Sequence, residues 1–150
     1  MKMLLLHCVL FMSFAIAKDK PSNGVSFVSG ESSSIKLIQV DKNKKIKKYP
    51  SPSKVMEYNV MLVNGRSPVK EDRFIYNTLV HFMIYVTKGT GVFFVDNKEF
   101  KVGPGDVLDV PPKTRFAVHG EELEYLTVEN PAWFPEQFHI VDSKNNIVLN

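Results

Sequence analysis

Val102-Gly103-Pro104-Gly105-Asp106-Val107-Leu108-Asp109-Val110-Pro111-Pro112-Lys113 is the stretch that decides the fold class. Gly103-Pro104-Gly105 reads as a tight turn, because glycine takes backbone angles that a Cβ disfavours and proline withholds a ladder donor. Residues 106–110 then form a short strand, which Pro111-Pro112 stops. Just upstream, Tyr85-Val86-Thr87-Lys88-Gly89-Thr90-Gly91 repeats the pattern of β-branched and aromatic residues punctuated by glycine.

Outward from these two pieces the chain continues in the same way. Residues 92–95 and 99–102 flank Asp96-Asn97, which predicts a hairpin. Gly89-Thr90-Gly91 predicts another hairpin turn, since no helix follows it to make a phosphate cradle. Residues 73–87 make a long strand-forming run, and 115–118, 123–129 and 137–142 complete the series downstream. On the N-terminal side, residues 55–63 alternate in part and stop at Asn64-Gly65. Tyr49-Pro50-Ser51-Pro52-Ser53 marks a turn, and residues 35–40 supply a first strand. The lysine-rich segment 42–48 reads either as an anion- or membrane-binding patch or, more plainly, as a solvated run protecting a sheet edge. No stretch of ten residues carries a helical period. Many short strands separated by Gly and Pro predict an all-β sandwich or barrel.

The chain has 150 residues, enough for one domain. Residues 1–17 predict a cleavable signal peptide: Lys2 gives the positive start, residues 3–16 the apolar run, and Ala15-Ile16-Ala17 the small residues of a cleavage site after Ala17. The sole cysteine, Cys8, lies in that leader, so the mature chain offers no disulfide, thiolate metal ligand or cysteine nucleophile. Residues 18–53 are expected to form an N-terminal arm with the first strand, and residues 54–150 the barrel. The formal charge of +3 is close to neutral and recommends neither nucleic acid nor stable membrane insertion as a partner. A periplasmic or secreted location follows from the leader.

From Gly65 to about Asp142 the sequence resembles the cupin superfamily. The residues 85–91 are similar to the end of the first cupin motif and 102–113 to the start of the second. Glu129-Asn130-Pro131-Ala132-Trp133-Phe134-Pro135 is similar to the Pro-rich segment that follows the last barrel strand in small cupins. The resemblance implies a jelly-roll β-barrel, in agreement with the strand pattern, and a homodimer as a reasonable assembly.

It also implies where metal ligands would lie, and there the chain departs from the family. By the family spacing the first-motif Glu falls on Phe82, and its two His on Tyr76 and Thr78, or on Ile75 and Asn77 with a longer spacing. The second-motif His falls on Phe116, its Asn on Gly120 and its glycine on Lys113. A shifted register brings Lys70 and Asp72 to the first pair of His positions, which is no better. Aromatic rings in place of imidazole and carboxylate remove the usual donor set, so no metal and no other cofactor is expected. Strand parity turns His81 outward if Phe82, Ile84 and Val86 face in. It leaves His119 outward or in a turn if Phe116 and Val118 face in.

Two functions remain open. An exported barrel could bind a small polar organic ligand, sugar-like in character, or serve as a structural or interaction protein; candidate lining residues are Tyr76, Thr78, Phe82, Arg115, Phe116 and Trp133. Alternatively it is a metal-independent isomerase, epimerase or lyase, which needs an inward-facing base or acid. The binding reading is favoured because Phe82 and Phe116 are expected to pack as core, and no catalytic residue stands out. Trp133 in its proline-bounded segment is a lid or plug, or a ligand-stacking or dimer-contact residue.

Overall fold

Inward-facing side chains at every second position, Glu57-x-Asn59-x-Met61-x-Val63 and Phe82-x-Ile84-x-Val86, are buried, while their neighbours lean toward solvent. This period of two builds the molecule, because one face of each strand meets the interior. The computed structural model describes residues 26–149. Residues 26–35 form turns and irregular chain before the first strand. The expected signal peptide lies outside the described residues.

Ten strands follow: β1 (Lys36–Asp41), β2 (Lys44–Lys48), β3 (Glu57–Ser67), β4 (Phe74–Asn77), β5 (His81–Val95), β6 (Lys98–Val102), β7 (Val107–Val110), β8 (Arg115–Asn130), β9 (Phe138–Val141) and β10 (Ile147–Leu149). A single 3-10 turn, Pro135–Gln137, is the only helical element among the described residues. All pairings are antiparallel, in the order β1-β2-β3-β8-β4-β9-β10, with β5 joined to β6, β7 and β8. The long strand β8 organises the sheet. It pairs with β5 from Phe116 to Asn130 on one side and with β3 and then β4 on the other. The sheet curls into a half-barrel, a jelly-roll architecture as expected from the sequence.

Several expected strand ends move. Gly89-Thr90-Gly91 is not a hairpin turn; β5 runs through it to Val95, with register shifts around Lys88. The glycine serves a bulge instead. Gly89 has φ +73°, and a Cβ there would lie 2.2 Å from the Glu122 carbonyl oxygen. Likewise β3 does not stop at Asn64-Gly65. Gly65, at φ +102°, absorbs a register shift and lets pairing resume at Arg66 and Ser67. Segments 115–118 and 123–129 are one strand rather than two, and the 73–87 run is two strands broken at residues 78–80.

The lysine-rich segment is the largest correction. Lys44–Lys48 is not an edge: it is β2, hydrogen-bonded between β1 and β3, with Lys45 exposed and Lys47 and Lys48 half-buried. Ile46 packs against the core, and Lys44 is buried. Strand β10 went unread because three residues are too few to show a pattern. Asp96-Asn97, Gly103-Pro104-Gly105 and Pro111-Pro112 punctuate the chain as expected.

The core lies between the inner faces of β3, β5 and β8. Phe93 and Tyr125 meet edge-on with centroids 5.3 Å apart, and Val63, Ile84, Val86, Val118 and Leu123 close around them. Geometry of this kind adds about 0.5–1.5 kcal/mol beyond the burial of the rings.

Candidate functional site

Toward the other end of the same strands the interior opens into a cavity of about 740 Å³, within the range of small-molecule sites. One wall is apolar, built from Met61, Ile75, Phe82, Phe116, Trp133 and Phe138. Phe82 and Phe116 sit with ring centroids 5.9 Å apart, and Trp133 meets Phe138 edge-on at 5.9 Å. The phenylalanines therefore both pack with the core and border open space; they do not fill the barrel.

Beside these apolar residues the lining is polar, and the register of β3 on β8 makes it so. Glu57 lies directly across from Glu129, and Asn59 across from Thr127. All four are buried, with Glu129 only 2% exposed. The Asn59 amide nitrogen donates to Glu57 Oε1 at 3.0 Å and to Glu129 Oε1 at 3.1 Å. The Thr127 hydroxyl donates to the same Glu129 oxygen at 2.8 Å. Lys48 Nζ stands 3.6 Å from Glu57 Oε1 and 5.7 Å from the centre of the Trp133 ring.

Two carboxyl groups side by side in a dehydrated place cannot both ionise cheaply. Burial pushes the Glu129 carboxyl up to about 7; the bonds from Asn59 and Thr127 pull against this, and the charge and hydrogen bonding of Glu57 push with it. Glu129 thus exchanges a proton near neutral pH while facing a cavity, which is the condition for general acid–base work. Lys44 lines the same cavity, and burial lowers its pKa against the opposing pull of Glu129 and Asp41.

Of the residues proposed from sequence, Phe82, Phe116 and Trp133 line this cavity, and Tyr76, Thr78 and Arg115 do not. Parity separates them. On β4 it is Ile75 and Asn77 that face inward, while Tyr76 lies by the ring of His139 and Thr78 is bonded to the Gln137 carbonyl. Arg115 donates to the Ser143 carbonyl and to the side chains of Asn145 and Asn97, away from the cavity. His81 points outward onto Asp109 at 2.5 Å, as parity predicts, and His119 is exposed on β8.

Sequence reasoning missed Glu57, Asn59, Glu129 and Lys44. The signal was present: Glu57 and Asn59 share the face of Met61 and Val63, and Glu129 shares that of Leu123 and Tyr125. The residues at the family's metal positions do not fit a metal. Phe82 and Phe116 offer no donor, and no group of three or more His, Cys, Asp or Glu able to hold an ion occurs among the described residues.

A curled antiparallel half-barrel with its cavity between the sheet faces is the cupin fold, and comparison with known proteins agrees. The AraC-like ligand-binding domain family matches residues 74–132. No curated protein matches the chain in sequence. Among solved structures, a variant of Pac13 from Streptomyces, in complex with uridine, is 19% identical with a TM-score of 0.64, over 72% of this chain and 85% of that one. Pac13 is described as a nucleoside dehydratase. An RmlC-like cupin from Shewanella frigidimarina is 16% identical, TM-score 0.57, over 74% of this chain and 93% of that one. The polyketide cyclase RemF from Streptomyces resistomycificus is 14% identical, TM-score 0.57, over 75% and 89%. The chain has the cupin fold. Its structural neighbours include enzymes, one of them seen with uridine bound.

Proposed function

We propose that the chain is a metal-independent acid–base catalyst of the lyase or isomerase class, acting on a small polar molecule with an apolar portion. The carrying observation is the Glu57–Glu129 pair, bridged by Asn59 and facing the cavity, with Glu129 holding its proton up to about pH 7. In this reading Glu129 delivers or removes the proton at the reacting carbon or its leaving hydroxyl. Burial, aided by Glu57 held by Lys48, keeps Glu129 protonated, and the rings of Phe82, Phe116 and Trp133 seat the apolar part of the substrate. That the cupin fold supports dehydration and cyclisation in Pac13 and RemF is compatible with this assignment, though fold alone does not carry it.

Proton exchange provides the test. Chelator-treated protein is incubated in D2O with hydroxy acids, uronates and nucleosides, and deuterium incorporation or dehydration is followed by NMR. The expectation is turnover of at least one class, falling roughly 100-fold or more in Glu129→Gln, the scale of a lost general acid or base. Undiminished turnover in that variant sinks the acid–base assignment. Saturable binding without turnover, for every compound that enters the cavity, makes the site a binding site, the second reading that the cavity itself supports.

We further propose that the protein works in the periplasm or outside the cell, after cleavage following Ala17. N-terminal sequencing of the protein from an exporting host is expected to begin at Lys18.

A further inference from the structure

We infer that Lys44 is an anion anchor and that the cavity takes a small monocarboxylic acid with an apolar body. This inference rests on the proposed function in one respect, that the cavity is the working site. Lys44 is only 6% exposed and lines the cavity, yet its ammonium makes no hydrogen bond or ion pair among the described residues. Burying that amine carries a desolvation cost that the charges of Glu129 and Asp41 offset only in part, and a carboxylate brought by a ligand offsets more of it.

The other cations of the lining are engaged or peripheral. Lys48 is committed to Glu57 and the Trp133 ring, Arg73 to Asp72, and Lys70 is exposed. Against these four cations stand Asp41, Glu57 and Glu129, and Glu129 carries its proton below about pH 7. With Lys44 protonated the lining therefore has a positive excess, and among the described residues this buried amine makes no hydrogen bond or ion pair of its own. A single negative charge satisfies it. A phosphate dianion brings a second charge into a space already shared with Asp41 and Glu57, and like charges there repel. The same lining includes the apolar side chains of Met61, Ile75, Phe82, Phe116 and Phe138, which fit an alkyl or aryl body. The lysine-rich strand that the sequence left between an anion site and a solvated edge thus delivers one lysine inward.

Trp133 is the only tryptophan of the chain and lines the cavity, so its fluorescence reports occupancy. Full-length protein is titrated with 3-phenylpropionate, its neutral amide and phenyl phosphate. The expected result is a saturable change with the acid at least tenfold tighter than the amide and tighter than the phosphate. Lys44→Met is expected to erase the preference for acid over amide, with the fold checked by circular dichroism, and Lys44→Arg to retain part of it. Equal binding of acid and amide to the unmodified protein, tighter binding of phenyl phosphate, or no saturable response to the acid overturns the inference without reference to any variant. Persistence of the preference in Lys44→Met also overturns it. Glu129→Gln is expected to keep the preference for the acid while losing proton exchange. Failure of the anchor and failure of the acid–base assignment are therefore read separately.

Discussion

Midway along the β3–β8 ladder Val63 faces Leu123 and Met61 faces Tyr125; toward its end at Glu57 the same two strands pair Asn59 with Thr127 and Glu57 with Glu129. Backbone pairing and inward orientation are the same in both stretches, and all eight side chains are buried. The apolar stretch packs with Phe93 and Val118 and reaches the cavity only at Met61, whereas Glu57, Asn59 and Glu129 all line it. Like carboxyls directly across a ladder are destabilising. A sheet that keeps them at one end, while the stretch beside them supplies ordinary core, divides stability and chemistry along the length of one strand pair.

The largest expected effect is in the apolar stretch. Phe93→Ala removes a fully buried ring from against Tyr125 and leaves a void, costing about 3–5 kcal/mol in chemical denaturation. A loss below 1 kcal/mol would show that this stretch is as loosely filled as the other. At the polar end the corresponding measurement is the pH dependence of stability. Folding raises Glu129 from 4.5 to about 7, so the native state binds the proton more tightly than the unfolded chain. Its contribution is full below about pH 4.5 and is lost as the pH rises through 7, an effect of up to about 3 kcal/mol. Glu129→Gln is expected to flatten that slope in urea titrations between pH 4.5 and 8, gaining stability over the unmodified protein at the alkaline end. A slope unchanged by the substitution breaks the contrast.

Phe82→Ala sharpens the comparison, because Phe82 has open space on one side already. Its cost is expected at about 1–3 kcal/mol, below that of Phe93→Ala, since less new void is created. Smallest of all is Arg115→Ala, which is expected to change stability by about 1 kcal/mol or less and to leave the Trp133 titration with 3-phenylpropionate unmoved. A weakened titration there would extend the site beyond the cavity lining.

The strand pattern, the Asp96-Asn97 hairpin and the Gly103-Pro104-Gly105 turn were legible because each rests on local backbone preference. So was the outward turn of His81, which parity alone dictates once Phe82 faces in. The continuity of β5 and β8 was not legible. Glycine marks a turn and a bulge equally well, and only the presence of Glu122 opposite Gly89 selects the bulge. Half of the proposed lining was misplaced for a related reason. Tyr76 and Thr78 differ from Ile75 and Asn77 by one residue, and a shift of one exchanges the faces of a strand.

The sequence by itself determined that this chain is β-structured, that Phe82 and Phe116 stand where the resemblance places a Glu and a His, and that Glu57 and Asn59 share a strand face with Met61 and Val63. Only the tertiary structure decided that Glu57 meets Glu129 across 72 residues of chain, and that Lys44 turns in beside them. Pairing register is a long-range property. Each strand fixes which side chains share a face, but the partner that lies opposite is set by the packing of the whole sheet.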